Sequence, residues 1–104
     1  MYEFEFDSFS KNDLMLLNKH KNPDGYGVIY LTTDKRKYII DVEYEVKELY
    51  DRNGIRLEVY EMKDDYTHGN WIDTIRTINT ATDYKRFVIR AKKEIIKVVK
   101  EFEE

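Results

Sequence analysis

Hydrophobic and polar positions alternate strictly at the start of the chain, where Tyr2, Phe4 and Phe6 interleave with Glu3, Glu5 and Asp7. Period two predicts a strand with one buried face. Ser10-Lys11-Asn12-Asp13 has the Ser-x-x-acid form of a capping box and precedes Leu14, Met15, Leu16 and Leu17, so a short helix is expected to about His20. Asn22-Pro23-Asp24-Gly25 then joins a fixed φ, an Asx side chain and a permissive glycine, which reads as a turn. Gly27 to Thr33 reads as a second strand, and Asp34-Lys35-Arg36-Lys37 as a polar connection. Beyond it, Ile40, Val42, Tyr44 and Val46 alternate with Asp41, Glu43, Glu45 and Lys47. After Asp51-Arg52-Asn53-Gly54, the apolar Ile55, Leu57 and Val59 alternate with Arg56, Glu58 and Tyr60. Asn-Gly between two alternating runs is a strong hairpin signal, so strands 3 and 4 are expected to be antiparallel neighbours with one charged face.

Trp71 to Thr80 is rich in isoleucine and threonine and favours a fifth strand. Isoleucines 72, 75 and 78 recur every three residues, a spacing that also fits a helix. Thr80 or Asp83 can cap the last element, in which Tyr84, Val88, Ala91, Ile95, Val98 and Phe102 recur at spacings of four and three. That pattern predicts an amphipathic helix of about five turns. The expected fold is α+β: one domain over 1–104, a four- or five-stranded, mainly antiparallel sheet, a long C-terminal helix packed on one face and a short N-terminal helix. The other face is left to solvent.

With 41% hydrophobic residues, nine tyrosines and five phenylalanines among 104 residues, the chain can bury one core despite being 38% charged. The absence of cysteine excludes disulfides, thiolate metal sites and cysteine nucleophiles, and fits a reducing compartment, so a cytoplasmic location is expected. No run approaches the roughly 20 apolar residues of a membrane span, and no membrane partner is expected. The abundance of lysine, isoleucine, asparagine and tyrosine fits an AT-rich coding genome, such as that of a low-GC bacterium or its phages. Net charge is -3, but it is segregated: residues 1–82 carry 11 basic and 16 acidic groups, and residues 83–100 carry 7 basic and 2 acidic.

Three surfaces emerge as candidates. Asp41, Glu43, Glu45, Glu48, Asp51, Glu58, Glu61, Asp64 and Asp65 crowd along one hairpin and its following loop. Dense carboxylates can imitate a phosphate backbone and occupy a basic groove on a protein partner. Lys85, Arg86, Lys92, Lys93 and Lys100 on the last helix could follow the phosphates of a single-stranded nucleic acid. Ile89, Ile96 and Val99 lie off the apolar seam and form a flank that could join two copies in a homodimer.

Pro23-Asp24 with Glu45-Val46-Lys47 resembles in outline the PD-(D/E)xK nuclease motif, a resemblance that spans five residues and implies acidic metal ligands, Asp24 and Glu45, and a lysine, Lys47, assisting the attacking water. Asp24 falls in a turn, which departs from that family. His20 and His68 have no cysteine near them, the serines sit in no nucleophile elbow, and the four glycines form no phosphate loop, so no catalytic residue, metal or cofactor is expected. The preferred expectation is an acidic protein-binding module, anti-CRISPR-like or otherwise anti-defence, with which a phage or mobile element inhibits a nucleic-acid-handling host protein. The single-stranded nucleic-acid binder and the nuclease are the alternatives.

Overall fold

A computed structural model of the chain describes residues 1–6, 8–20, 27–45, 54–78 and 83–104. The N-terminal alternation becomes β1, Tyr2–Glu5, and α1 follows over Lys11–His20. The start of α1 is a reciprocal capping box: Ser10 N–H and Oγ donate to the Asp13 carboxylate, and Asp13 N–H donates to Ser10 Oγ. Strands β2 (Gly27–Thr33), β3 (Lys37–Glu45), β4 (Gly54–Met62) and β5 (His68–Ile78) precede the 20-residue α2, Tyr84–Glu103. The strands lie in chain order and every neighbouring pair is antiparallel. The fold is thus α+β, a five-stranded meander with a long C-terminal and a short N-terminal helix. No helix among the described residues is long and apolar enough to cross a membrane.

The expected hairpin is present, with Val42 opposite Leu57 and Glu45 opposite Gly54. The Asn22 to Gly25 turn, the Asp51-Arg52-Asn53 turn and Thr80 lie outside the described residues. Of residues 71–80, read as strand or helix, 71–78 are strand, and 79–80 lie outside the described residues. β5 slips by one residue against β4 three times, once where Ile75 and Ile78 register against Leu57 and Ile55. Each slip inserts a residue without a partner, a bulge. An apolar spacing of three on β5 therefore meets a spacing of two on β4, which is why the pattern also fitted a helix. Bulges on an edge strand also discourage pairing with a foreign strand.

One core joins both helices to one face of the sheet. Phe9, Leu14 and Leu17 from the α1 region and Phe87, Ala91, Ile95 and Val99 from α2 are buried with Ile29, Leu31, Ile40, Val42, Leu57 and Val59. The rings of Phe9 and Phe87 meet at 5.3 Å, and the Tyr84 hydroxyl donates to the Phe9 carbonyl at 2.8 Å.

The seam of α2 differs from the expected one. Phe87, which the expected seam left out, and Val99, expected on the outer flank, are fully buried, whereas Tyr84, Val88 and Val98 are only partly buried and Phe102 is exposed. The apolar residues span about 120° of the helix at 100° per residue, and a five-stranded sheet is wide enough to cover that whole arc rather than a narrow heptad stripe. Val99 is therefore a core residue and not part of an outer flank. Asp83 is the N-cap, accepting hydrogen bonds from the backbone of Lys85 and Arg86.

A candidate protein interface on the uncovered face of the sheet

Because side chains alternate along each strand, covering one face leaves Tyr30, Ile39, Asp41, Glu43, Arg56, Glu58, Tyr60 and Thr74 on the other. No described element packs over this side. Register aligns Tyr30 with Ile39, Ile39 with Tyr60, and Tyr60 with Trp71. A row of large side chains thus crosses four strands, roughly 14 Å at the usual strand spacing. Ile39 is only 3% exposed although no described helix covers it, whereas Trp71 is 57% exposed.

The adjacent row is polar, with Asp41 opposite Glu58 and Glu58 opposite Thr74, and Glu43 opposite Arg56 beyond it. Arg56 bonds Glu43 through Nε at 3.1 Å and also through Nη2, and its Nε lies 3.6 Å from Glu58. Glu58 further accepts from the Trp71 indole at 3.3 Å and from the Thr74 hydroxyl. His68 Nε2 lies 2.8 Å from Asp41 Oδ1, and its ring stands edge-on to Tyr60 at 4.7 Å. Burial raises the Tyr60 phenol above its ordinary value, assisted by the charges of Asp41, Glu58 and Glu43, so Tyr60 is a hydroxyl donor at neutral pH.

The aromatic set extends into the β4–β5 turn. Tyr66 N–H donates to the Lys63 carbonyl and Lys63 N–H to that of Thr67. These bonds close a tight turn that ends in a left-handed residue, Tyr66, whose φ is 66°. Glycine or asparagine is the ordinary occupant of that conformation. Tyr66 is 68% exposed and, with Tyr30, Thr32, Lys37, Met62 and Glu5, lines a shallow depression on the uncovered face.

Of the nine carboxylates expected to form one acidic surface, the six whose side chains are described divide among different sides of the molecule. Asp41, Glu43 and Glu58 share the uncovered face, each held by a donor. Glu61 registers against the core residue Tyr38 and pairs at 3.0 Å with Arg36, on the helix side. Asp64 and Asp65 sit in the turn, where hydrogen bonds from the Thr67 hydroxyl and N–H hold Asp65 below its usual range. Glu45 closes β3, its side chain undescribed, and Glu48 and Asp51 lie outside the described residues. So do Asp24 and Lys47 of the nuclease-like set. Among the described residues no group of three or more His, Cys, Asp or Glu could hold a metal.

Of the apolar flank on α2, Ile89 is 69% exposed and Ile96 partly buried. Ile89 is ringed by Arg86, Arg90 and Lys93, with Glu94 beside them, so its surroundings are charged rather than a continuous apolar flank. Sequence reasoning missed Tyr30, Tyr60, Tyr66 and Trp71 as a set. The available signal was tyrosine at positions where the alternation calls for a polar residue, as at Tyr60 between Val59 and Glu61. Comparison of the chain with protein-family models, curated proteins and solved structures gave no significant match.

Proposed function

We propose that the protein is a non-enzymatic binding module that engages a protein partner through the uncovered face of its sheet. The carrying observation is Trp71, more than half exposed at the end of a four-strand row on a face that no described element covers. Exposed Trp and Tyr framed by charged groups are the usual composition of an interface hot spot. Asp41, Glu43, Glu58 and Glu5 outnumber Arg56 and Lys37 on this face, giving it a negative balance, so a partner surface bearing Lys and Arg complements it. A groove on a nucleic-acid-handling protein is one such surface, and inhibition of its owner is the activity this reading implies. Tyr66 supports it: a large side chain in a left-handed turn position costs conformational energy that a glycine would not, and such strain concentrates at functional sites.

The only tryptophan of the chain lies in this interface, so its emission reports occupancy directly. Proteins captured from a lysate by the wild-type chain should be lost with Trp71→Ala, and the purified partner should shift the tryptophan emission. A hot-spot truncation costs about 2 kcal/mol or more, roughly thirtyfold in affinity. Tyr66→Gly should weaken binding while raising thermal stability. Capture that survives both Trp71→Ala and Tyr60→Ala, with folded variants, would dismiss this face as the binding surface.

A further inference from the structure

The opposite side of the molecule carries a second, independent pattern. Arg86, Arg90, Lys93, Lys97 and Lys100 recur along α2 at spacings of four, three, four and three. At 100° and 1.5 Å per residue they occupy about 80° of the circumference and about 21 Å of axis. That stripe lies diametrically opposite the buried Phe87, Ala91, Ile95 and Val99, and all five residues are exposed. Glu94 and Glu101 stand on one flank of the stripe, Ile89 and Ile96 on the other. Of the five, only Arg86 has a carboxylate within 4.0 Å among the described residues, that of the N-cap Asp83 at 3.9 Å.

Each cation of the stripe has another three or four residues away, and like charges at those separations destabilise a helix. A helix that is merely solvated interleaves acids along such a stripe. Here the acids are kept to the flank, and five like charges run in line.

We propose that this ridge binds the phosphodiester backbone of double-helical nucleic acid without reading its bases. A linear, evenly spaced row of cations matches a linear array of phosphates. Single strands draw much of their binding from aromatic stacking, and the ridge carries no aromatic residue; Tyr30, Tyr60 and Trp71 lie beyond the sheet. A membrane surface needs apolar side chains to insert, and only Ile89 stands clear among the cations. The sequence alone suggested Lys85, Arg86, Lys92, Lys93 and Lys100, but Lys92 turns aside, its ammonium 5.7 Å from the ring centroids of Phe4 and Phe6. The carboxylates of the uncovered face are on the far side of the sheet and favour approach by the helix side. This inference does not rest on the protein-binding reading.

The test is a fluorescence-anisotropy titration of the full chain against a labelled random-sequence DNA duplex of ~20 base pairs at several salt concentrations. Saturable binding is expected, with a dissociation constant of about 10⁻⁴ to 10⁻⁶ M and a slope of log K against log salt approaching about -4.5 for five phosphate contacts. Lys93→Gln/Lys97→Gln should flatten the slope by about 2 and weaken binding about tenfold or more. Lys93→Arg/Lys97→Arg should retain binding, and Lys63→Gln in the distant turn should leave it unchanged. Both double variants alter exposed positions, so their thermal melting should match or exceed that of the parent. Absence of saturable binding at low salt, or a slope unchanged by the glutamine pair, overturns the proposal. So does tighter binding to a single strand of equal length or to phosphatidylserine vesicles, which would reassign the ridge.

Discussion

Gly27 begins β2 directly beneath the ring of Phe9. A Cβ placed there would collide with Phe9 Cδ1 and lie 3.1 Å from both Phe9 Cγ and the Ser8 carbonyl oxygen. Phe9 is fully buried, and the atoms that would be struck include the part of the ring next to its own backbone, so it cannot simply swing away. Gly27→Ala should destabilise the fold by about 1–3 kcal/mol, the usual cost of overpacking, read as a lowered urea midpoint. An unchanged midpoint would mean that Phe9 does not occupy this place. The glycine is visible in the sequence as the first residue of a strand, but its reason is not, because Phe9, which precedes α1, reaches it from a distant part of the chain. Arg56 shows the same difference: alternation places it among carboxylates, and only the register reveals that it holds Glu43 and Glu58 together.

At the scale of elements, the end of α2 is clasped to the β2–β3 hairpin. Thr33 Oγ1 and the Tyr38 hydroxyl both donate to the Glu103 carboxylate, at 2.6 and 2.5 Å, and the Lys35 ammonium donates to the Glu103 carbonyl at 3.1 Å. Phe102 packs edge-on to Tyr38 at 6.3 Å with the Arg36 guanidinium 5.2 Å from its centroid. Partial burial pushes the Glu103 carboxyl up, but the hydrogen bonds from Thr33 and Tyr38 and the charges of Lys35 and Arg36 prevail and hold it below its usual range. Burial, the hydrogen bond to Glu103 and that carboxylate's charge push the Tyr38 phenol above its ordinary value.

The two shifts act at opposite ends of the pH scale. Folded Glu103 binds its proton less readily than the unfolded residue, so its contribution exists above the ordinary glutamate value and is lost as pH falls below about 4. Folded Tyr38 holds its proton more tightly, so its contribution is full below about pH 10 and is lost as pH rises beyond it. Urea midpoints followed against pH should show a neutral plateau with a decline at each end. Glu103→Gln should shrink the acid decline, and Tyr38→Phe should reduce the alkaline one, to which the raised Tyr60 also contributes. An alkaline limb untouched by Tyr38→Phe would argue against the clasp.

Across the whole molecule, strand order sets where stability resides. β3 lies between β2 and β4 and beneath the helices, whereas β1, only four residues long, and the bulged β5 form the edges. Amide hydrogen exchange should be slowest at Ile40, Val42, Leu57 and Val59, approaching the global unfolding limit, and faster by orders of magnitude in β1. Equal protection of β1 and β3 would show that the edge is not where opening begins. The same layering separates the two charged sides, with α2 outward on one and the partnered carboxylates on the other.

Period-two alternation, the Ser10–Asp13 box and the Asn53-Gly54 pair were enough to give the strands, the short helix and the central hairpin, because each is a local pattern that reports a backbone choice. The basic character of α2 was equally legible. Tertiary structure decided what depends on contacts between distant residues. The width of the sheet drew Phe87 and Val99 into the core, bulges made β5 a strand despite its spacing of three, and the register divided the carboxylates. Glu61 went to the helix side with Arg36, while Asp41, Glu43 and Glu58 stayed beside an aromatic row that no local period displays. Composition along a chain fixes how much charge and apolar surface there is, but only packing determines which of it is spent inside the molecule and which is left for a partner.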